Sequence, residues 1–165
     1  MHGAKDFWVF GYGSLMWRPG FSCLESQPAL LRGYHRSFCV YSHHYRGTPE
    51  HPSLVLGLAR GGACRGVAFR VDVAEEQAVR SYLDERELVS YAYTPRTVPV
   101  SLRATTVPCY TFVANTRHDQ YAGDLGVERS AEIIMSAQGI AGLNRDYLIN
   151  TVRQLEKEGF SDKRL

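Results

Sequence analysis

The chain has 165 residues, a length that fits one compact domain with its own hydrophobic core. Hydrophobic residues make up 44% of the sequence and charged residues 22%, and this balance excludes a mostly disordered chain. The net charge of +2 is small and the basic residues are dispersed, so neither nucleic acid nor a membrane surface is indicated as a partner. The longest apolar stretch, residues 54–59, is far shorter than the roughly 20 residues that span a bilayer. We therefore expect residues 1–165 to form a single domain.

The number and spacing of the cysteines indicate the cellular compartment in which the protein works. The spacing contains no Cys-x-x-Cys pair, so it is not that of a zinc knuckle, and a chain of this length needs no disulfide bonds to fold. No basic-then-apolar leader precedes Phe7. Together these features predict a cytoplasmic protein with reduced thiols. The cysteines are Cys23, Cys39, Cys64 and Cys109.

The first two-thirds of the chain has the residue pattern of β-strands. Runs rich in aromatic and β-branched residues alternate with turns that contain glycine or proline. Gly61-Gly62 lies between two such runs and predicts a hairpin at that point. The predicted strands cover residues 7–10, 34–45, 54–59, 64–69, 91–100 and 105–113.

Three helices are predicted among and after these strands. The first begins at Asp72, with Glu75 three residues later as a capping box, the second ends near Gly139, and the third begins with Asn144 as its cap. Many short strands with few helices indicate an α+β protein, built on a strongly curved antiparallel sheet or a barrel with helices against it. The predicted apolar faces are Val79, Tyr82 and Leu83 in the first helix, Val127, Ala131, Ile134 and Met135 in the second, and Leu148, Val152 and Leu155 in the third.

The turn after the first strand, Gly11-Tyr12-Gly13-Ser14-Leu15, is unusual for a strand connection. Its two glycines permit positive φ angles and leave backbone N–H groups uncovered. Successive exposed amides form a concave nest that binds an anion or a developing oxyanion. A dinucleotide fingerprint and a hydrolase nucleophile elbow are excluded because both need glycine where Met16 stands, and a phosphate loop is excluded because no Gly-Lys pair is present. A plain tight turn is the alternative interpretation.

Glu87 is the second unusual position. It continues the i, i+4 column of Val79 and Leu83, so its side chain is expected to point toward the core. It also lies at the C-terminus of the predicted helix, where the macrodipole disfavours a negative charge. Both effects predict a raised carboxyl pKa, which suits a group that takes and returns a proton near neutral pH. The alternative is a carboxylate paired with a neighbouring arginine such as Arg86.

Other reactive side chains give weaker signals. The four histidines between positions 35 and 51 lack the spacing of metal ligands, and adjacent histidines on a strand point to opposite faces, so no metal site is predicted. A nucleophilic pair of Cys39 or Cys109 with a histidine stays open as a lesser alternative. The aromatic residues fall mostly in strand patterns and are expected in the core, not stacked on bases. Arg36 and Arg46 have the chemistry to bind a substrate carboxylate.

Segments of the chain resemble, in order, the ChaC-type γ-glutamylcyclotransferases. The most specific combination is Tyr12-Gly13-Ser14-Leu15 within residues 9–17, followed at the right distance by Tyr-Leu-x-x-Arg-Glu, which ends at Glu87. The matches span about nine-tenths of the chain. The sequence departs from the family pattern at Met16, where isoleucine is usual, and at Leu88-Val89-Ser90, which replaces a more glycine-rich stretch. Further matching segments are residues 33–38, 45–49, 66–70, 120–123 and 142–148.

The resemblance implies a small mixed, mostly antiparallel β-barrel with peripheral helices. It implies a lyase that cleaves glutathione, a small-molecule substrate, into 5-oxoproline and cysteinylglycine without metal or cofactor, and it leaves the oligomeric state open. The family's catalytic acid/base corresponds to Glu87, and its loop that binds the γ-glutamyl portion corresponds to Tyr12, Gly13, Ser14 and Leu15. Tyr121 is expected to bind carboxylates with Arg36 or Arg46. Two alternatives remain: other γ-glutamyl amino acids or amines as substrates, or a γ-glutamyl-binding module without catalysis.

Overall fold

A computed structural model describes residues 6–42, 47–87, 92–139, 142–157 and 159. In this part of the chain, strands β1 to β5 form a closed barrel in the order β1-β3-β2-β4-β5, and β5 meets β1 to close it. The β1–β5 pair is parallel and the other pairs are antiparallel, which confirms the mixed, mostly antiparallel barrel. The strands are β1 (Asp6–Gly11), β2 (Glu25–Ser42), β3 (Ser53–Asp72), β4 (Tyr93–Ser101) and β5 (Thr106–Ala114); a separate two-stranded ribbon pairs β6 (Gln138–Gly139) with β7 (Gly142–Leu143).

The long pairing of β2 with β3 shows that the hairpin predicted at Gly61-Gly62 is wrong. β3 runs through both glycines without a turn, and they lie opposite Gly33 of β2 where the pairing register shifts. All three glycines have positive φ angles, between 70° and 102°. A bulge and a turn both use backbone conformations that glycine adopts readily, so the local sequence does not separate them. Here the glycines bend one long strand pair instead of ending it.

The three predicted helices are confirmed as α1 (Glu76–Glu87), α2 (Gly126–Ser136) and α3 (Asn144–Lys157). A single 3-10 turn, Val73–Glu75, precedes α1, and the Asp72 carboxylate at its N-terminus accepts the N–H of Ala74 at 3.0 Å. Val79 and Leu83 are buried as predicted, whereas Tyr82 is exposed on the neighbouring face of α1. The helix therefore carries Glu87 on its buried column. No helix among the described residues is both long and apolar enough to cross a membrane.

The apolar face predicted for α2 is wrong at three of its four positions. Val127, Ala131 and Met135 are exposed, while Ile134 is buried together with Ile133. The two isoleucines pack against the first half of β3. In α3, Leu155 is buried as predicted, whereas Leu148 and Val152 are half-buried. Helical spacing is compatible with more than one face, and the contact with the barrel decides which face is buried.

The first half of β3 has an edge with which none of the described strands pairs. There the Asn144 side chain accepts the N–H of Leu54 at 2.9 Å and donates to the Leu54 carbonyl at 2.8 Å. At Leu56, the N–H donates to the Tyr147 hydroxyl at 3.3 Å, and the Tyr93 hydroxyl donates to the carbonyl at 2.6 Å. Side chains thus satisfy a strand edge that would otherwise be buried without partners. Asn144, predicted as a helix cap, bonds to this edge instead, and the starts of α3 and β4 are held next to it.

Candidate active site

The Tyr-Gly-Ser-Leu sequence lies where the chain leaves the barrel at the end of β1. Ser14–Met16 form a 3-10 helix with Gly13 as its N-cap. The Met16 N–H donates to the Gly13 carbonyl at 2.9 Å, and the next two N–H groups donate to the Ser14 carbonyl. The donors of the turn are therefore residues 16–18. The amides of Ser14 and Leu15 are the first of the helix, positions that lack an acceptor within it.

Close packing explains the two glycines of this turn. The predicted positive φ angles are wrong, since Gly13 has a φ of −139° and Gly11 is not among the glycines with positive φ. A Cβ atom on Gly11 would lie 3.0 Å from Leu15 Cβ and 3.2 Å from the Phe69 ring. A Cβ atom on Gly13 would lie 3.3 Å from Leu56 Cδ1. The glycines thus allow the turn to lie directly against the barrel wall.

Glu87 ends α1 beside this turn. Its side chain is 21% exposed and lines a pocket of about 60 Å³, which the Tyr-Gly-Ser-Leu residues also line. The two features that the sequence analysis singled out therefore share one cavity. The other walls come from β3, β4, β5 and α3, through Leu56, Tyr93, Thr111, Phe112 and Tyr147.

The pocket changes the acidity of its side chains. Burial raises the pKa of the Glu87 carboxyl, as predicted, and the Arg86 guanidinium opposes part of this increase. Arg86 Nε lies 3.7 Å from Glu87 Oε1, so the predicted alternative of a neighbouring arginine is also present. Burial raises the pKa of both Tyr12 and Tyr93 well above the usual value, and the nearby Glu87 raises both further. These two phenols are therefore neutral at physiological pH, while Glu87 is positioned to titrate.

Arg36 does not line the pocket with Glu87, but its side chain contacts the backbone of the turn. It is buried, and its Nε donates to the Tyr12 carbonyl at 2.6 Å. One terminal nitrogen donates to the Arg65 carbonyl, also at 2.6 Å. These contacts favour a role in holding the turn against β3. Binding of a substrate carboxylate by Arg36 stays a prediction.

Two further residues of the predicted site are not found in this pocket. Tyr121 lies on the wall of a larger cleft of about 1440 Å³, where its backbone forms a bridge with Val40 of β2. Arg46 lies outside the described residues, as do Leu88-Val89-Ser90, where the sequence departs from the family pattern. The carboxylate-binding roles of Tyr121 and Arg46 stay predictions.

The sequence did not indicate two of the pocket's tyrosines, Tyr93 and Tyr147, or the contacts of Arg86 with the turn. Tyr93 and Tyr147 stand in ordinary strand and helix patterns, where most tyrosines pack in a core. Tyr147 lies within a segment that matches the family, and this is the one signal that was available for it. Nothing in the local pattern indicates that these side chains meet at the edge of β3.

The cysteines and the possible metal ligands are the other reactive side chains that the sequence analysis considered. Cys39, Cys64 and Cys109 are buried and Cys23 is exposed. Burial raises the pKa of Cys39 to about 11 and that of Cys109 to about 12, so both thiols are protonated near pH 7 and are poor nucleophiles. Within the described ranges, no three His, Cys, Asp or Glu side chains are grouped so that they could hold a metal ion.

The chain is similar to known proteins over most of its length. The family model described as ChaC-like protein matches residues 7–165. The glutathione-specific γ-glutamylcyclotransferase of Escherichia coli (strain K12) is 35% identical over 156 residues, which cover 94% of this chain and 68% of that protein. The enzyme of the same name from Schizosaccharomyces pombe is 33% identical over 170 residues, covering 91% and 83%.

A solved structure has the same fold. The crystal structure of a γ-glutamyl cyclotransferase specific to glutathione from yeast gives a TM-score of 0.84 at 22% identity, and the match covers 93% of this chain and 88% of that one. At this identity the likeness shows the fold alone. The family match over residues 7–165, together with the relatives at 33–35% identity, leads to one conclusion: the chain belongs to the ChaC-like protein family.

Proposed function

We propose that this protein is a glutathione-specific γ-glutamylcyclotransferase that converts glutathione into 5-oxoproline and cysteinylglycine. One observation carries the proposal: a partly buried carboxyl with a raised pKa and the first amides of a 3-10 helix line the same pocket. Relatives in the family carry the name of this activity. The reaction needs a proton-transfer group and a site for a negative oxygen, and Glu87 and the turn supply these two functions.

The substrate supplies its own nucleophile. The α-amine of the glutamyl residue forms a bond to its own γ-carbonyl carbon and closes a five-membered lactam, while the amide bond to cysteine breaks. At neutral pH this amine is an ammonium ion, so it must lose a proton before it can attack. We propose that the Glu87 carboxylate accepts this proton, because a carboxyl with a raised pKa is a more effective general base near pH 7 than an ordinary one. The same carboxyl then returns the proton to the nitrogen of cysteine as the C–N bond breaks. The attacking nitrogen loses a second proton as it becomes the lactam N–H, and Glu87 passes this proton to the released amine, which leaves as an ammonium ion.

The turn stabilises the tetrahedral intermediate in this proposal. The carbonyl oxygen becomes negative as the amine attacks, and we assign its hydrogen bonds to the amides of Gly13, Ser14 and Leu15. One donor of this kind is worth about 2.7–4 kcal/mol of barrier. Tyr12 holds the start of the turn, since its hydroxyl donates to the Phe112 carbonyl at 3.1 Å. No nucleophilic side chain is needed, because intramolecular closure supplies up to roughly 7–11 kcal/mol through effective molarity.

The small size of the pocket supports a role in holding the reacting atoms of the substrate and not the whole molecule. A cavity of about 60 Å³ holds only part of a tripeptide. We therefore place the γ-carbonyl and the α-amine there, where the surrounding side chains exclude water that would otherwise hydrolyse the amide. The proposed reaction needs from the protein only proton transfer by Glu87 and hydrogen bonds from the turn, so the proposal includes no cofactor. We also propose that the protein acts in the cytoplasm, which holds the glutathione pool that keeps thiols such as those of this chain reduced.

A direct assay tests the proposal. Purified protein is incubated with glutathione, and 5-oxoproline and cysteinylglycine are quantified by mass spectrometry; we expect equal amounts of the two products. The Glu87→Gln variant is the matched control, because it keeps the size of the side chain and removes proton transfer. Calorimetric binding of glutathione without lactam formation would instead indicate a binding module. Faster turnover of γ-glutamyl-alanine than of glutathione would assign a different leaving group.

A further inference from the structure

The Tyr-Leu-x-x-Arg-Glu sequence places two neighbouring columns of side chains on α1. Residues four positions apart lie on the same helix face. Leu83 and Glu87 form one column, in which Leu83 is fully buried and Glu87 lines the pocket. Tyr82 and Arg86 form the second column. Their side chains contact the segment that follows β1, residues 14–20, which we name the β1 loop.

Arg86 connects both ends of the β1 loop to the carboxylate. Its Nη2 donates to Ser14 Oγ at 2.8 Å. Its Nη1 donates to the carbonyl of Arg18 at 2.7 Å and to that of Pro19 at 3.3 Å. Its Nε lies 3.7 Å from Glu87 Oε1. Because a guanidinium presents its donors in one rigid plane, a single side chain holds these groups at set distances from one another.

Tyr82 completes the contact between α1 and the β1 loop. Its hydroxyl accepts a hydrogen bond from Arg86 Nη1 at 3.2 Å. Its ring lies against Gly20, which has a φ of +76°. A side chain at this position would overlap the tyrosine hydroxyl, so both space and backbone conformation favour glycine. The β1 loop is therefore attached to α1 at both of its ends.

We propose that Arg86 is a positioning residue, which holds the amides of Ser14 and Leu15 at a working distance from the Glu87 carboxylate. This inference rests on the proposed function. The carboxyl and the amides must act on one small group at the same time, and a displacement of about 1 Å at such a site can lower the rate by about 10²-fold. Without Arg86, the turn is still joined to the barrel through Arg36 but loses its hydrogen bonds to α1.

Arg86 also sets the acidity of Glu87. Burial raises the pKa of the carboxyl, and the adjacent guanidinium opposes this effect. The other titratable side chains that line the pocket in the described structure are the phenols of Tyr12, Tyr93 and Tyr147. Burial keeps the first two neutral at physiological pH. The loss of Arg86 should therefore raise the pKa of Glu87 and move the acidic limb of the pH–rate profile to higher pH.

Two substitutions at position 86 separate these roles. Arg86→Met removes both the charge and the planar donors, so we expect kcat to fall by about tenfold or more and the acidic limb of kcat/KM to move upward. Arg86→Lys keeps the charge without the planar set of donors, so we expect a lower kcat with the limb close to wild type. Arg80→Met is the matched control: Arg80 lies on the same helix, paired with Glu76 at 3.0 Å, and does not line the pocket, so the limb should not move.

A measurement without substrate separates this inference from the proposed function. Titration of the Glu87 carboxyl by carbon-13 NMR should give a higher pKa in Arg86→Met than in wild type, Arg86→Lys or Arg80→Met. Wild-type kcat together with a wild-type Glu87 pKa in Arg86→Met would overturn the inference. If Arg86→Met does not fold, Ser14→Ala carries the test, since it removes one bond to Arg86 and should lower kcat without changing the Glu87 pKa; an unchanged kcat would overturn the inference. Failure of the wild type to form 5-oxoproline would overturn the proposed function itself.

Discussion

Two cavities of this protein differ greatly in size. The cleft that contains Tyr121 measures about 1440 Å³ and lies along the part of β2 that follows Gly33. β2 meets β4 at the Leu30–Ser101 pair, so the cleft opens where the two strands have separated. The pocket that contains Glu87 measures about 60 Å³. Volume alone would assign the binding site to the cleft.

The chemistry of the two walls supports the opposite assignment. The cleft is lined by the exposed guanidinium groups of Arg60, Arg96 and Arg117, which water and salt screen, and by the buried Arg36, whose guanidinium donates to backbone carbonyls. The pocket combines a carboxyl whose pKa is raised by burial with the first amides of a helix. Electrostatic interactions are strongest where water is excluded. The chemical groups on the wall, more than the volume of the cavity, therefore favour the small pocket for the proton transfer that we propose.

The largest effect is expected from Glu87→Gln. General acid–base catalysis typically contributes about 10²–10⁴-fold, so 5-oxoproline formation should fall by that factor while circular dichroism stays that of wild type. The rate is measured at saturating glutathione to separate catalysis from binding. If the variant retained most of the activity, the reaction would not take place in the small pocket, and our choice of the pocket over the cleft would be wrong.

A large loss of stability is expected from Asn144→Ala, which affects the β3 edge beside the pocket. The substitution leaves the buried N–H and carbonyl of Leu54 without their side-chain partners, which should lower the free energy of unfolding by about 2–4 kcal/mol. Urea denaturation measures the change. Asn150→Ala, at an exposed position of the same helix, is the control and should leave the midpoint nearly unchanged. Equal effects of the two substitutions would contradict the role of Asn144.

A smaller, pH-dependent effect on stability is expected at Glu87. Its pKa is higher in the folded than in the unfolded chain, so the folded state binds more protons and the free energy of unfolding falls as pH rises through this interval. Glu87→Gln should therefore be more stable than wild type at pH 7. The difference should disappear below about pH 4, where the carboxyl is protonated in both states. Denaturation of Glu87→Gln and of the exposed control Glu85→Gln at both pH values tests this; equal pH dependence in the two variants would contradict it.

The smallest effects are expected in the cleft. Arg117→Ala, at an exposed position, should change kcat/KM for glutathione by no more than about twofold, the range of ordinary surface substitutions, whereas Tyr121→Phe tests the carboxylate-binding role predicted from the sequence. Steady-state kinetics of both variants beside Glu87→Gln measures the contrast between the two cavities. A large rise in KM for Tyr121→Phe would support the carboxylate-binding role predicted from the sequence and extend the site into the cleft.

The sequence by itself determined the strand-rich α+β class, the three helices and the unusual position of Glu87. These features are local: the i, i+4 column of Val79, Leu83 and Glu87 is a property of one helix, and burial of that column raises the carboxyl pKa in any fold that packs on it. The resemblance of the Tyr-Gly-Ser-Leu and Arg-Glu segments to one protein family then predicted that both belong to the same site, although the two segments are far apart in the sequence and no local pattern relates them.

Only the tertiary structure decided the role of Gly61-Gly62, the buried face of α2 and the partners of Arg36 and Arg86. Each depends on contacts between residues far apart in the chain. Arg86 and Ser14, for example, are joined by a hydrogen bond although 72 positions separate them. A glycine pair is equally suited to a turn and to a bulge, and an arginine to a substrate carboxylate and to a backbone carbonyl. The physical reason is that local sequence defines what a residue is able to do, whereas the closed barrel determines which groups lie near enough for it to act on.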